Sequence, residues 1–179
     1  MRLLSSLANK SDHSSVGKKT SKSVSNFFGI CIFVGQKREI MELPNNMTLQ
    51  DINKKNEGTL MESLGIEYTF IGEGRVEATM PVDSRTMQPF GILHGGATIA
   101  LAETICGVGS ILLCEEDEVS RGMQVSANHV YAARSGYVKG IATLLHKGRS
   151  THVWNIDVFT DDEKLVSSVR ITNSIIKKK

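Results

Sequence analysis

At 179 residues, with 40% hydrophobic composition and a formal net charge of +2, the chain suits one globular domain with a sizeable core. The charge is uneven: residues 1–40 hold seven basic and two acidic side chains, a net of +5, which leaves −3 on residues 41–179. A mildly acidic body excludes the broad basic surface of a nucleic-acid-binding protein, and no run of apolar residues approaches the ~18–20 needed for a membrane span.

Residues 1–40 are rich in Ser and Lys and lack sustained periodicity. That composition fits disorder or a transit peptide; the preferred reading is an over-long N-terminal extension, with residues 41–179 forming the single folded domain from Met41 onward. Residues 48–64 read as a short helix, capped by Thr48 or Asp51 and carrying Leu60, Met61 and Leu64 as its apolar edge. Two strands follow, over 66–71 and 75–81, joined by Gly72-Glu73-Gly74; Val76, Ala78 and Met80 alternate with Arg75, Glu77 and Thr79, the period of a half-buried strand. A loop is predicted over 83–93. The span from Gly95 to about Leu113 is the one long helix, apolar nearly all round and interleaved with small residues, which predicts burial on most sides. Alternating strands then cover 119–131, 137–146, 150–160 and 165–176, with turns at Ser135-Gly136, Lys147-Gly148 and Asp161-Asp162. Strand pair, helix, then a meander predicts an α+β fold in which one antiparallel sheet wraps around one central helix.

Chemistry concentrates in Gln88-Pro89-Phe90-Gly91-Ile92-Leu93-His94-Gly95-Gly96-Ala97, followed by Glu103. Gly95 and Gly96 open the long helix, so unpaired N–H groups and the positive dipole end stand there without side chains in the way. A carbonyl oxygen can approach such a terminus closely, which is how an oxyanion site for acyl transfer is built. His94 and Gln88 flank it and are placed to donate or orient hydrogen bonds. Glu103 is a carboxylate in the middle of an apolar helix, costly to bury and therefore a functional candidate. By itself it reads equally well as a structural ion pair or an exposed position; beside the glycine-opened helix and His94 it reads as catalytic.

The segments MPVDSRTMQPFGILHGGATIALAE and VSANHV, with the strand containing Trp154, resemble the hotdog-fold thioesterases of the 4-hydroxybenzoyl-CoA and 1,4-dihydroxy-2-naphthoyl-CoA type. The resemblance covers roughly residues 55–176. It implies a hotdog fold and hydrolysis of an aryl- or naphthoyl-CoA to free acid and CoA, as in the bacterial naphthoyl-CoA hydrolases of menaquinone synthesis. It also implies roles: Glu103 as nucleophile or general base, the Gly95 amide polarising the thioester carbonyl, Gln88 and His94 orienting it. One departure is Gly107, where many relatives carry Ser or Thr one turn after the Glu. The turn His146-Lys147-Gly148-Arg149-Ser150-Thr151 combines cations, a glycine and hydroxyls suited to phosphate. The resemblance assigns CoA binding to that turn and to residues near His129, with Gly122 and Arg121 as further candidates. His152 and Trp154 read as strand packing.

Gly95 and Glu103 lie eight residues apart, ~12 Å along a helix axis, so one helix cannot present both to one carbonyl carbon. A second copy must complete the site, which predicts a homodimer or dimer of dimers with active sites at the subunit interface. The cysteines are not arranged for a disulfide or a metal, since Cys106 and Cys114 stand ~12 Å apart in the helix; a reducing, cytoplasmic compartment fits. No metal site or cofactor is predicted. Two other classes stay open at this point: a hotdog hydratase or dehydratase, and a non-catalytic acyl-CoA-binding module, against which the retained Glu103 argues.

Overall fold

The computed structural model describes residues 47–179; the N-terminal extension read over 1–40, and Cys31 with it, lie outside the described residues. Thr48 is the cap of α1 (Leu49–Lys54): its hydroxyl accepts from the Asp51 amide while the Asp51 carboxylate accepts from the Thr48 amide, a capping box. The single helix expected over 48–64 is in fact two, because Gly58 takes a left-handed φ of +72° before α2 (Leu60–Leu64) begins. The α1 side of the break is tied to the start of the segment that follows. Asn53 donates to the Tyr68 carbonyl and accepts from its amide, and Asn56 donates to the Ile66 carbonyl.

The strands are β1 (Glu67–Gly72), β2 (Arg75–Pro81), the short hairpin β3 (Met87–Gln88) and β4 (Ile92–Leu93), then, after the long helix α3 (Gly95–Leu112), β5 (Glu118–His129), β6 (Tyr137–Lys147), β7 (Thr151–Thr160) and β8 (Leu165–Lys177). Six of them form an antiparallel sheet in the order β1-β2-β6-β7-β8-β5. The meander expected after the helix holds for β6 to β8 but not for β5, which occupies the far edge beside β8. The connection over 130–136 is too long for a tight hairpin and crosses the end of the sheet. Its backbone is satisfied on the way, donating from Val130 to Val166 and accepting at Ala133 from Leu93 and at Gly136 from Val82.

One face of the sheet packs on α3. Val138, Ala142, Trp154, Ile156, Val158, Val169 and Ile171 meet Leu101, Ala102 and Ile105, all essentially inaccessible. Gly140 permits close approach, since a Cβ there would sit 3.0 Å from Ile105 and 3.3 Å from Leu101. Near the helix C-terminus the Trp154 ring lies against Gly109, and Ser110 Oγ accepts from Trp154 Nε1 at 2.8 Å and from Asn173 Nδ2 at 2.9 Å. This polar clasp fixes the rotation of α3 on the sheet.

Only one stripe of α3 is buried: Ala97, Thr98, Leu101, Ala102, Ile105, Cys106, Gly109 and Ser110. The opposite stripe, with Ile99, Ala100, Glu103, Thr104, Gly107, Val108 and Ile111, is half-buried or exposed in the single chain. Burial on most sides, as the composition suggested, is therefore corrected to burial on one side, because the sheet wraps one face. By length and composition α3 matches a membrane span, contrary to the expectation from the sequence, but its buried stripe belongs to the core of this sheet.

Candidate active site

At the start of α3, His94 is the N-cap, extended at φ −76° and ψ 130°, and its Nδ1 accepts the Gly96 amide hydrogen at 2.8 Å. With Nδ1 used as an acceptor, the neutral ring carries its hydrogen on Nε2 and presents a donor. Among the described residues no acceptor takes the Gly95 amide hydrogen, so that amide is available at the positive end of the helix. The β3–β4 hairpin pairs Gln88 with Ile92 through a turn in which Gly91 adopts φ +68°. It brings Gln88 to a cavity of about 330 Å³ shared with Gly95, Thr98, His129 and Tyr131. The His129 ring rests directly on Gly95: a Cβ at that position would lie 2.7 Å from Nε2. Gly95 thus serves twice, as a free donor and as the only residue that leaves room for His129.

Glu103 occupies a different place. It is exposed, which corrects the expectation of a carboxylate buried inside the helix packing: it lies on the stripe that the sheet leaves uncovered. Its Oε1 lies on β5, 2.7 Å from where a Cβ of Gly122 would stand. A second cavity of about 130 Å³ joins Glu103 to Gly122, Met123, Gln124, Val125 and Ile171. The two cavities have no lining residue in common. Gly122 and His129 are seven residues apart on β5, ~23 Å of strand. One chain therefore holds its Gly95 and His129 group well away from its Glu103 and Gly122 group.

The turn after β6 is tight, with the Gly148 amide donating to the Thr151 carbonyl at 2.8 Å and the Ser150 carbonyl accepting from Ile175 at 2.9 Å. His146, Lys147, Arg149 and Ser150 are exposed. Sheet register fixes where this turn lies: Thr151 pairs with Ser174, which pairs with Arg121. The turn and Arg121 thus share the Glu103 end of the sheet, whereas His129 stands at the Gly95 end, so the CoA candidates divide into two groups. His152 is buried as expected of a packing residue; burial holds its pKa below the ordinary range, and its Nδ1 has no partner among the described residues. Trp154 is likewise core. Cys106 touches the Glu103 carbonyl, but burial pushes its thiol up to about 12, too weakly ionised for a nucleophile. Cys106 and Cys114 are both free, and the described residues contain no cluster suited to a metal ion.

Two neighbours of this cavity gave no sign in the sequence. Tyr131 lines the Gly95 cavity from the crossover segment. Ser167 on β8 is buried, with Oγ 2.9 Å from His129 Nδ1 and 3.1 Å from the Asn128 carbonyl. A serine in an alternating strand carries no spacing that would announce it; only the unbroken burial of Val166 and Ser167 marks the place.

Residues 90–167 match the family model described as the thioesterase superfamily. Over 130 residues the chain is 44% identical to the 1,4-dihydroxy-2-naphthoyl-CoA hydrolase of Escherichia coli, covering 73% of this chain and 96% of that one. It is 41% identical over 131 residues to the proofreading thioesterase EntH of Cronobacter turicensis, with 73% and 96% covered. The crystal structure of a Haemophilus influenzae thioesterase superimposes with a TM-score of 0.72 at 44% identity, covering 76% of this chain and 96% of that one.

Proposed function

The chain belongs to the thioesterase superfamily and is a thioester hydrolase of hotdog fold, and from that premise we propose that it hydrolyses an aryl- or naphthoyl-CoA, with 1,4-dihydroxy-2-naphthoyl-CoA the first candidate substrate. The acyl carbonyl oxygen accepts from the Gly95 amide, while His94 Nε2–H and the Gln88 amide orient the thioester. Glu103 of a second subunit, as nucleophile or as general base on water, faces the carbonyl carbon. Water oxygen bonds to the acyl carbon, directly or by hydrolysing an anhydride formed with Glu103. The C–S bond breaks, the acid is released, and the departing CoA sulfur takes up the proton given up by the water.

The observation that carries this reading is the division of the site: the oxyanion donor and the carboxylate lie on one helix, in separate cavities, on the side the sheet leaves open. A two-fold partner seated there brings Glu103 of one subunit to Gly95 of the other, twice over. The uncovered surface suits such a partner. Ile111 is 57% and Met123 60% exposed, and Val125 and, at the Gly95 end, Val130 are exposed as well, while Gly96, Ala100 and Gly107 let helices approach. The same pairing gives the phosphate-binding role to the turn from His146 to Thr151 on the subunit that supplies Glu103. Free Cys106 and Cys114 agree with a cytoplasmic enzyme.

Release of CoA thiol from a panel of benzoyl, dihydroxynaphthoyl and medium-chain acyl-CoAs tests the proposal. Preference for the aromatic acyl groups supports it. Hydration of an enoyl-CoA without thiol release indicates a hydratase, and affinity without turnover a binding module; either result overturns it.

A further inference from the structure

Ser167 Oγ is itself buried and has two partners but one hydrogen. The Asn128 carbonyl, 3.1 Å away, can only accept; His129 Nδ1, 2.9 Å away, can do either. Ser167 is fully buried whereas Asn128 and His129 are exposed, so its own hydroxyl has these two groups and not water to bond with. One arrangement makes both contacts: Ser167 donates to Asn128, and His129 donates Nδ1–H to Ser167. The neutral His129 ring then bears no hydrogen on Nε2, the atom that rests on Gly95, in a residue that lines the cavity with Gln88 and Tyr131. His94, a few ångströms of backbone away, has the opposite state, because its Nδ1 already accepts from Gly96.

We propose that Ser167 is a positioning residue that locks His129 as a hydrogen-bond acceptor beside the Gly95 amide. Together the two histidines present one donor, His94 Nε2–H, and one acceptor, His129 Nε2, at the same helix end. The donor suits the thioester oxygen. The acceptor suits the attacking water, which it orients while the carboxylate, not the imidazole, takes the proton. This assignment rests on the thioesterase reading of the cavity. It adds a residue from β8, remote in sequence from the glycine-rich segment, on which the orientation of that water depends.

The test uses the full chain and three proteins: wild type, Ser167→Ala and Ser167→Thr. Long-range nitrogen–proton NMR of the histidine rings reads the tautomer directly, and thiol release reads kcat and KM. Wild type is expected to show His129 protonated on Nδ1 and bare on Nε2. Ser167→Ala is expected to lose that single-tautomer pattern and about tenfold in kcat, the scale of one orienting hydrogen bond, with KM and the thermal midpoint little changed. Ser167→Thr, which keeps the hydroxyl on a strand-compatible side chain, restores both the pattern and the rate. An Nε2–H ring in wild type overturns the proposal, as does a Ser167→Ala protein with unchanged tautomer and kcat. The wild-type NMR reading stands even if Ser167→Ala fails to fold. Absence of thiol release by wild type strikes the thioesterase reading instead and leaves the tautomer measurement to be judged separately.

Discussion

Gly122→Ala isolates the placement of the proposed catalytic carboxylate, Glu103, from its identity. Gly122 does not adopt a left-handed backbone, so alanine is sterically allowed there, yet its Cβ would lie 2.7 Å from Glu103 Oε1. Ordinary contact begins at 3.4 Å, so the carboxylate must give way by the difference, 0.7 Å. The atom that moves is the far end of a flexible, exposed side chain, so stability should change by less than ~0.5 kcal/mol. Reaction geometry is less forgiving: a misplacement of ~1 Å is associated with losses on the order of 10²-fold. A fall of roughly tenfold or more in kcat is therefore expected, with KM for the acyl-CoA little altered and the thermal midpoint unchanged. Steady-state thiol release at saturating substrate measures the first, and a melting curve the last. Wild-type kcat in a folded Gly122→Ala protein would show that the position of Glu103 on β5 is irrelevant to the chemistry, and the assignment of Glu103 would fall with it.

Glu103→Gln should keep the fold and CoA binding while turnover drops by ~10²-fold or more; near-normal turnover removes Glu103 from the mechanism. Ser110→Ala strands two buried donors, Trp154 Nε1 and Asn173 Nδ2, and should destabilise by about 2–4 kcal/mol, seen as a drop of roughly 10 °C in the thermal midpoint. For Glu77, burial acts to raise the pKa, but the ion pairs with Lys139 and Arg75 outweigh it and hold the group below the ordinary carboxylate range. A depressed pKa contributes stability that is present above the unfolded-state value and is lost as pH falls through the folded one. Midpoints measured from neutral pH downward should therefore decline less steeply in Glu77→Gln than in wild type.

How much was legible in the sequence follows from what each signal depends on. Alternation located every strand of the large sheet within a few residues, because burial of one face is a local property of the chain. The partner of β5 was not legible, since the pairing of Ser126 with Arg170 joins residues far apart in sequence, and a strand looks the same at an edge as in a meander. The glycine-opened helix and Glu103 stood out because glycines at a helix start and a charge among apolar residues are anomalies in themselves. The exposure of Glu103 was hidden for the converse reason: a stripe such as Ile99, Val108 and Ile111 has the same composition whether a sheet or a second subunit is to cover it. The break at Gly58 was visible as a glycine but was outweighed by the apolar spacing around it. The tautomer of His129 could not be read at all, because it is set by a hydroxyl and a carbonyl brought together only by the pairing of β5 with β8.

The proposed division of the site between two subunits makes a quantitative demand on mixed assemblies. Gly95→Pro removes the amide hydrogen without breaking the helix: proline is favoured at the first helical position, and His94 already has the extended backbone that a following proline requires. Its ring also presses on His129, so the damage falls within one half of the site. Glu103→Gln damages only the other half. Each protein alone should be nearly inactive, since every site in its dimers contains the defect. Mixed by co-refolding in equal amounts, random pairing makes about half the dimers heterodimers, and each heterodimer has one site assembled from two undamaged halves and one from two damaged halves. About a quarter of wild-type activity should return, rising and falling with the heterodimer fraction as the input ratio is varied. A site contained within one chain gives no recovery at any ratio. Equal inactivity of the mixture, with heterodimers demonstrated by native mass spectrometry, therefore excludes the division of Gly95 and Glu103 between subunits, and an active monomer excludes it without any mixing.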